Sequence, residues 1–351
     1  MRASEPPERV GLGRLGERGL IRRIRRSEVA AGRAAGLEVG IGDDTAVMTV
    51  PPGHRLLATT DLLIEDVHFR TRSAAPADIG WKALAVNLSD IAAMGGIPRW
   101  ALVALAVPAG TELEAIDAFY AGMNDAGAPH GVTVVGGDTS ASPHGWMVNV
   151  TLLGVHPGAP RLRSHARPGD AVAVTGHLGG SGAGLHALEI GADQARAAGL
   201  APSPLAEIIA AHLRPRARVA EGRWLGDAAG VHAMMDCSDG LATDLEHICR
   251  ESGVGARVRL GQVPVASAAQ AAGDAFRIDP RDWAVGGGED YELLLTCEPE
   301  AAARLGDGLV AATGTPLTVI GRIDGPAGAV VFVDEAGLPV TVRSGYQHFE
   351  E

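Results

Sequence analysis

The sequence predicts an α/β chain in two halves, and three observations carry that prediction. Helical and strand-like periodicities alternate along the chain. The segment 156–170, "HPGAPRLRSHARPGD", is rich in Pro, Gly and Arg, has little apolar content, and reads as a boundary. Each half also carries acidic clusters at strand ends or helix starts, where such folds place ligand chemistry. A chain of 351 residues is long enough for two domains, each with its own core.

The elements follow in order. "RLLATTDLLI" (55–64) is β-like, and "IGWKALAVNLSDIAAMG" (79–95) is a long helical run ended by Gly95-Gly96. "RWALVALAVP" (99–108) is a strand closed by Pro108. "ELEAIDAFYAGMNDAGAPHG" (112–131) is helical, capped by Thr111 and stopped by glycine and proline. Strands follow at 132–138 and 147–155. Beyond the boundary come the strand "AVAVTG" (171–176), a Gly-rich strand-to-helix turn at 176–185 and its helix. The helix "LAEIIAAHL" (205–213), a helix after Asp239 and the strand "YELLLTC" (291–297) complete the reading.

A net charge of −12 argues against nucleic acid or an anionic membrane as the main partner. No apolar run is long enough for a signal peptide or a membrane span. Cys237, Cys249 and Cys297 form no CxxC pair, so a disulfide framework and a zinc site are not indicated, and reduced thiols fit a cytoplasmic protein. The chain has a single lysine, Lys82, and no Gly-Lys-Ser/Thr, so phosphate handling needs a device other than a P-loop.

The acidic clusters suggest that device. They are "GIGDD" (40–44), "TTDLL" (59–63), "NLSD" (87–90), "VGGDTS" (135–140), "MDCSDG" (235–240) and "GGGEDYE" (286–292). Asp90 lies in a helix apolar on nearly every face, with Asn87 three residues before it. There it is either a buried polar group bonded to backbone or a metal ligand. Asp44 and Asp61 make the same case from loops, where flanking glycines let the backbone approach a ligand closely; Asp43 or Asp44 is also an ordinary turn residue. Asp138, ending a β-branched strand, is expected at the sheet's carboxyl edge; Thr59, Thr60 and Thr139 add hydroxyl oxygens. Helix capping explains one of Asp236, Ser238 and Asp239, but not all three. All-oxygen donors select Mg²⁺ or Mn²⁺. Two unit charges 4 Å apart repel by about 4 kcal/mol at an effective dielectric near 20, so carboxylates accept a polyphosphate only with divalent cations between them.

Taken in order, "GIGDDTAV", "TTDLLIEDVHF", "KALAVNLSDIAAMGG", "GGDTS", "VTGHLGGSGAGL", "HLRP", "DCSDGLATDL", "GGGEDYEL" and "GYQHF" resemble the thiamine-monophosphate kinase family, within the aminoimidazole-ribonucleotide-synthetase-like superfamily. The resemblance runs from about residue 16 to residue 349, with Arg18 where the family's opening has an aromatic. It implies an α/β fold of the α+β type in two domains: an ATP/Mg-binding and dimerisation domain over 1–156, and a domain over 163–351 that completes the substrate and ATP site. The N-domain strands would pair across a homodimer. It implies ATP as co-substrate, thiamine monophosphate as acceptor and several Mg²⁺ per site. Carried over by position, Asp44, Thr59, Thr60, Asp61, Asp90, Asp138, Asp236 and Asp239 would bind Mg²⁺. Tyr120, Gly137, Asp138, Arg163 and Ser238 would contact ATP, and His68, Glu289 and Tyr346 the thiamine phosphate.

Read from the residues alone, Arg163 is also an ordinary surface arginine and His68 also a satisfied core histidine. Tyr346 also docks a tail, and Glu289 also belongs to a tight turn. A selenophosphate synthetase would want an N-terminal cysteine and lysine, which this chain lacks. A silent Mg-nucleotide binder or a metal-dependent phosphohydrolase would keep the acidic clusters without needing the thiamine contacts.

Overall fold

The computed structural model describes residues 19–26 and 34–346; Arg18 and the closing 347–349 of "GYQHF" lie outside the described residues. Two compact units emerge. Among the described residues, one takes those up to Asn87 together with Pro98–Val155; the other takes Leu88–Ile97 and those from His156 to Tyr346. The break at His156 coincides with the Pro/Gly-rich segment, whereas the transfer of 88–97 has no sequence signal.

In the first unit, β1 (Leu37–Val39) and β2 (Val47–Met48) form an antiparallel ribbon. A four-stranded sheet contains β3 (Arg55–Ile64), β4 (Ile97–Val107), β5 (Thr133–Ala141) and β6 (Met147–His156), in the order β3-β6-β4-β5. Helices α1 (Pro76–Ala93) and α2 (Leu113–Gly127) pack in this unit, with Ile79, Leu84, Trp100, Ile116, Phe119, Met123 and Leu152 fully buried. Thr111 does not cap α2 as expected. Its N–H closes a turn onto the Pro108 carbonyl at 2.9 Å, so the helix starts after Glu112, which makes no side-chain cap. The helix also stops at Gly127, before a 3₁₀ turn over Ala128–His130.

The second unit holds seven strands: β7 (Ala171–Thr175), β8 (Val231–Asp236), β9 (Ala256–Arg259), β10 (Leu293–Cys297), β11 (Leu317–Ile323), β12 (Val330–Val333) and β13 (Pro339–Val340). Their order is β13-β12-β9-β11-β7-β10-β8, and every pair is antiparallel except β9–β12. Around the sheet lie α3 (Gly180–Ile190), α4 (Ala192–Ala197), α5 (Pro202–Leu213), α6 (Val219–Asp227), α7 (Leu241–Ser252), α8 (Ser267–Phe276), α9 (Pro280–Gly286) and α10 (Ala302–Thr313). β7 and β10 are buried at every residue, which is why they read as unbroken apolar runs. Val172, Val174, Met235, Leu245, Ile248 and Leu294 share one core; Ala183, Leu205, Ile208, Ala272 and Trp283 form a second among the helices. No helix among the described residues is long and apolar enough to cross a membrane.

Glycines set how closely α1 and α2 approach. A Cβ on Gly80 would sit 1.9 Å from the Phe119 carbonyl oxygen, and one on Gly122 would sit 1.8 Å from that of Ala77. Backbone atoms cannot yield as a flexible side chain can. Gly122→Ala is therefore expected to destabilise this unit by about 3 kcal/mol through overpacking. Gly110→Ala, with nothing within 4 Å of the new methyl, is the control with little effect. Urea unfolding of both variants checks the contrast, and equal midpoints would refute the packing argument.

Candidate active site

Each unit carries its own group of acidic motifs. In the first, β4 and β5 run parallel, with Val103 opposite Gly137 and Ala104 opposite Asp138. A Cβ on Gly137 would lie 1.9 Å from the Val103 carbonyl oxygen, so only glycine fits there. Asp138 does not end the strand as expected. The strand runs on to Ala141, and Asp138 instead lines a cavity of about 570 Å³. Asp43, Asp44, Tyr120, Gly137 and Thr139 share that cavity's wall. Gly42, at φ 123, turns the chain so that both carboxylates of "GIGDD" reach it, and Asp43 Oδ1 accepts the Asp44 N–H at 2.9 Å. The Thr139 hydroxyl is buried and has no hydrogen-bond partner among the described residues.

Strand alternation divides the "TTD" motif. Thr59 and Asp61 share a face with buried Leu63, while Thr60 lies on the exposed face with Leu56 and Leu62. The Thr60 hydroxyl bonds to β6 instead, 3.2 Å from the Val150 carbonyl oxygen and 3.0 Å from Thr151 Oγ1. His68 Nδ1 accepts the Ile64 N–H at 3.1 Å, which fixes this nitrogen as unprotonated. The His68 carbonyl oxygen is 3.4 Å from Nζ of Lys82, the single lysine, which is buried in α1. Along α1, residues 82–89 are all buried, as the apolar run requires, but Asp90 is half-buried rather than buried. Asn87 donates to the Ala83 carbonyl at 3.1 Å and leaves its Oδ1 without a partner among the described residues.

The second unit draws its motifs into one knot. Ser89 Oγ donates to Asp236 Oδ2 at 2.7 Å, which joins the end of α1 to the end of β8. The Cys237 N–H bonds to the Glu292 carbonyl at 2.8 Å, the Tyr291 N–H to Cys237 at 2.9 Å, and the Glu289 N–H to Ser238 at 2.7 Å. Glu289 (φ 58) and Tyr291 (φ 51) are both left-handed, a strain of about 1–3 kcal/mol each that these bonds hold in place. Tyr346 reaches the same place through its main-chain N–H, 2.9 Å from the Asp239 carbonyl oxygen, with its side chain exposed. Arg163 is exposed in a 3₁₀ turn, where its carbonyl accepts from Ser252 Oγ at 2.8 Å. With burial first and Arg250 second, Arg163 lowers the pKa of His247.

None of Asp236, Ser238 and Asp239 caps α7. The cap residue is Gly240, and Asp244 in the first turn reaches back to accept the Gly240 N–H at 3.1 Å and the Asp239 N–H at 3.4 Å. Burial, then Asp236 and Asp239, push the Asp244 carboxyl well above the usual carboxylate range. Burial, then the surrounding carboxylates, likewise raise the Cys237 thiol well above its ordinary value, which disqualifies it as a nucleophile. Among the described residues, no group of three His, Cys, Asp or Glu side chains is arranged to hold a metal ion.

A model of the AIR synthase related protein N-terminal domain matches residues 42–156, and one of the C-terminal domain matches 167–334. Thiamine-monophosphate kinase of Bacillus subtilis (strain 168) is 37% identical over 90% of this chain and 94% of its own length. The chain belongs to the thiamine-monophosphate kinase family. Among solved structures of the family, the enzyme from Stenotrophomonas maltophilia K279a aligns with a TM-score of 0.77 at 36% identity, covering 89% of this chain and 95% of that one. AaThiL complexed with AMPPCP and TMP aligns at 0.74 and 34% identity, over 97% of this chain and 99% of that one.

Several residues of this family member have partners that the sequence does not reveal. Glu292 is buried and accepts Thr175 Oγ1 at 2.7 Å, Arg218 Nε at 2.7 Å and Arg218 Nη2 at 2.5 Å. Burial works against the charge on Arg218, yet Glu292 and Glu221 outweigh it and raise its pKa. Asp290 accepts the Gly179 N–H at 2.6 Å and the Ser181 N–H at 3.1 Å, so it closes the start of α3. Arg161 donates to the carbonyls of Gly226, Val231 and Ala228, a structural role beside the boundary segment. The signal for the acidic pair was present in "GGGEDYE", where three carboxylates in four residues exceed what a turn needs.

Removing one partner of a buried ion pair strands the other charge. Arg218→Met is expected to cost the kinase about 3 kcal/mol in urea unfolding, and no loss would show that Glu292 finds another partner. Asp290 supplies a pH test. Burial raises its pKa from 3.8 to about 7, against the two amide N–H bonds that lower it, with Glu292 and Glu289 adding to the rise. The folded state therefore binds this proton more tightly than the unfolded chain, and stability falls as pH rises from about 4 to about 7. Relative to Asp290→Asn, the wild type should lose stability across that window and hold a constant difference above it. Unfolding at a series of pH values measures this, and the opposite slope would refute it.

Proposed function

We propose that this chain transfers the γ-phosphoryl group of ATP to thiamine monophosphate, producing thiamine diphosphate and ADP. The observation that carries the reading is AaThiL, which matches the chain almost end to end and is complexed with AMPPCP and TMP. A nucleotide analogue and an acceptor on one protein describe a two-substrate phosphotransferase, not a nucleotide store.

The donor chemistry fits Mg²⁺. The acidic motifs offer carboxylate and hydroxyl oxygens, burial and then Asp236 and Asp239 push Asp244 up, and the Thr139 hydroxyl lacks a partner among the described residues. Asp44, Thr59, Thr60, Asp61, Asp90, Asp138, Asp236 and Asp239 would hold several such ions, although the Thr60 hydroxyl bonds to β6 in this structure. Mg²⁺ typically binds through a few carboxylates completed by substrate phosphates, so a set of three side chains is not required. When bound, it neutralises the phosphates and orients them.

The acceptor phosphate is mostly ionised already, its second pKa lying near 6, so no general base is needed. The task left to the protein is to bring two anions into line. Tyr120, Gly137 and Ser238 would contact the nucleotide, with Arg163 adding positive charge. His68, Glu289 and Tyr346 would hold the thiamine portion. The γ-phosphoryl group would pass directly in line to the acceptor phosphate, with no aspartate acting as nucleophile.

We further propose a homodimer formed through the first unit's sheet. Edge strand β3 and β6 expose Leu56, Leu62 and Met147 on one face, a surface suited to burial against a second copy. We place the activity in the cytoplasm, in keeping with three free, buried cysteines.

The test is product analysis after incubating the protein with ATP, Mg²⁺ and thiamine monophosphate, with an EDTA control. Equimolar thiamine diphosphate and ADP are expected, both abolished by EDTA, with kcat of Asp236→Asn lower by about 10² or more. ADP and free phosphate without thiamine diphosphate would refute the assignment.

A further inference from the structure

Two motifs are not used by this mechanism: "HLRP" (212–215) and the Gly-rich turn that opens α3. The second unit joins them at one atom. His212 Nδ1 lies 3.0 Å from Ser181 Oγ and 3.2 Å from Glu289 Oε2. His212 and Ser181 are buried, and only the Glu289 side chain, at 27% exposure, reaches solvent. The close approach of α3 and α5 makes the meeting possible, since a Cβ on Gly184 would stand 2.0 Å from the Ile208 carbonyl oxygen. A carboxylate can only accept, so the Nδ1 proton belongs between His212 and Glu289, with the Ser181 oxygen as a second acceptor. Ser181 is itself fixed, its main-chain N–H being held by Asp290.

Glu289 is thus gripped twice, through its main-chain N–H by the Ser238 carbonyl and through its carboxylate by His212. We propose that His212, supported by Ser181, is a positioning residue for Glu289, holding that carboxylate in place for the thiamine portion of the acceptor. The inference rests on the proposed function, which gives Glu289 its substrate contact. A carboxylate held in a strained, left-handed residue and aimed by a buried donor is pre-organised for the cationic thiazolium ring of thiamine. Ser238, the proposed nucleotide contact, touches Glu289 through its main chain and not through this side-chain pair.

The experiment uses the full chain and measures KM for thiamine monophosphate and for ATP separately, with melting temperatures alongside. His212→Leu is expected to raise KM for thiamine monophosphate about tenfold and to leave KM for ATP within about twofold. His212→Asn, which keeps an N–H donor near the Nδ1 position, should recover most of the loss. In a Glu289→Gln background, His212→Leu should add less than about twofold, because its partner's charge is already gone. An unchanged KM for thiamine monophosphate, both KM values rising together, or losses that multiply in the double variant would each overturn the proposal. If His212→Leu does not fold, Ser181→Ala and His212→Asn carry the test. Ser181→Ala is then expected to raise the acceptor KM alone by about two- to threefold, and an unchanged acceptor KM overturns the proposal. A wild type that makes no thiamine diphosphate would remove the proposed function and this inference together. An active wild type with an indifferent His212 would remove this inference alone.

Discussion

Three main-chain hydrogen bonds between residues 237–238 and 289–292 hold the second unit's chemistry together. They exist because two strained residues, Glu289 and Tyr291, aim their amides at the carbonyls of Ser238 and Cys237. The segment is also anchored at its far end, where Arg218 clamps the buried carboxylate of Glu292. Side-chain charge thus secures a main-chain geometry, and the main-chain geometry in turn brings Asp236, Ser238, Asp239 and Glu289 to one place. Tyr346 joins through the same kind of bond to Asp239.

Crowding of carboxylates is the electrostatic consequence. Asp244 and Asp290 both have pKa values pushed upward by burial and by neighbouring acids, although each accepts two amide N–H groups. A site so charged attracts cations and repels phosphate. The first unit reaches the same end differently. There Asp43, Asp44 and Asp138 line an open cavity on glycine-bearing segments.

Much of this was legible from residue order. The strand at 55–64, the buried helix through Asn87 and the Gly-rich turn before α3 all follow from period and turn chemistry, which are local properties. The family motifs also pointed to the acidic residues now placed in the two groups. Legibility failed where the signal was not local. Thr111 yields the capping place because Pro108 makes a turn first, and Asp244 closes the start of α7 from inside the helix. The helices of the last third, such as α10 with "AARLGDGLVAAT", lie in Ala/Gly-biased sequence that blurs an apolar stripe.

The sequence by itself determined the fold class and the family, because period, spacing and motif order are written residue by residue. Tertiary structure alone decided which polar groups meet. Ser89 with Asp236, Arg218 with Glu292 and Ser181 with His212 are pairs 147, 74 and 31 residues apart. It likewise decided that Thr60 faces away from Asp61 and that Asp90 is only half-buried. The physical reason is that burial and hydrogen-bond partnership depend on distance in space, and a chain records only distance along itself.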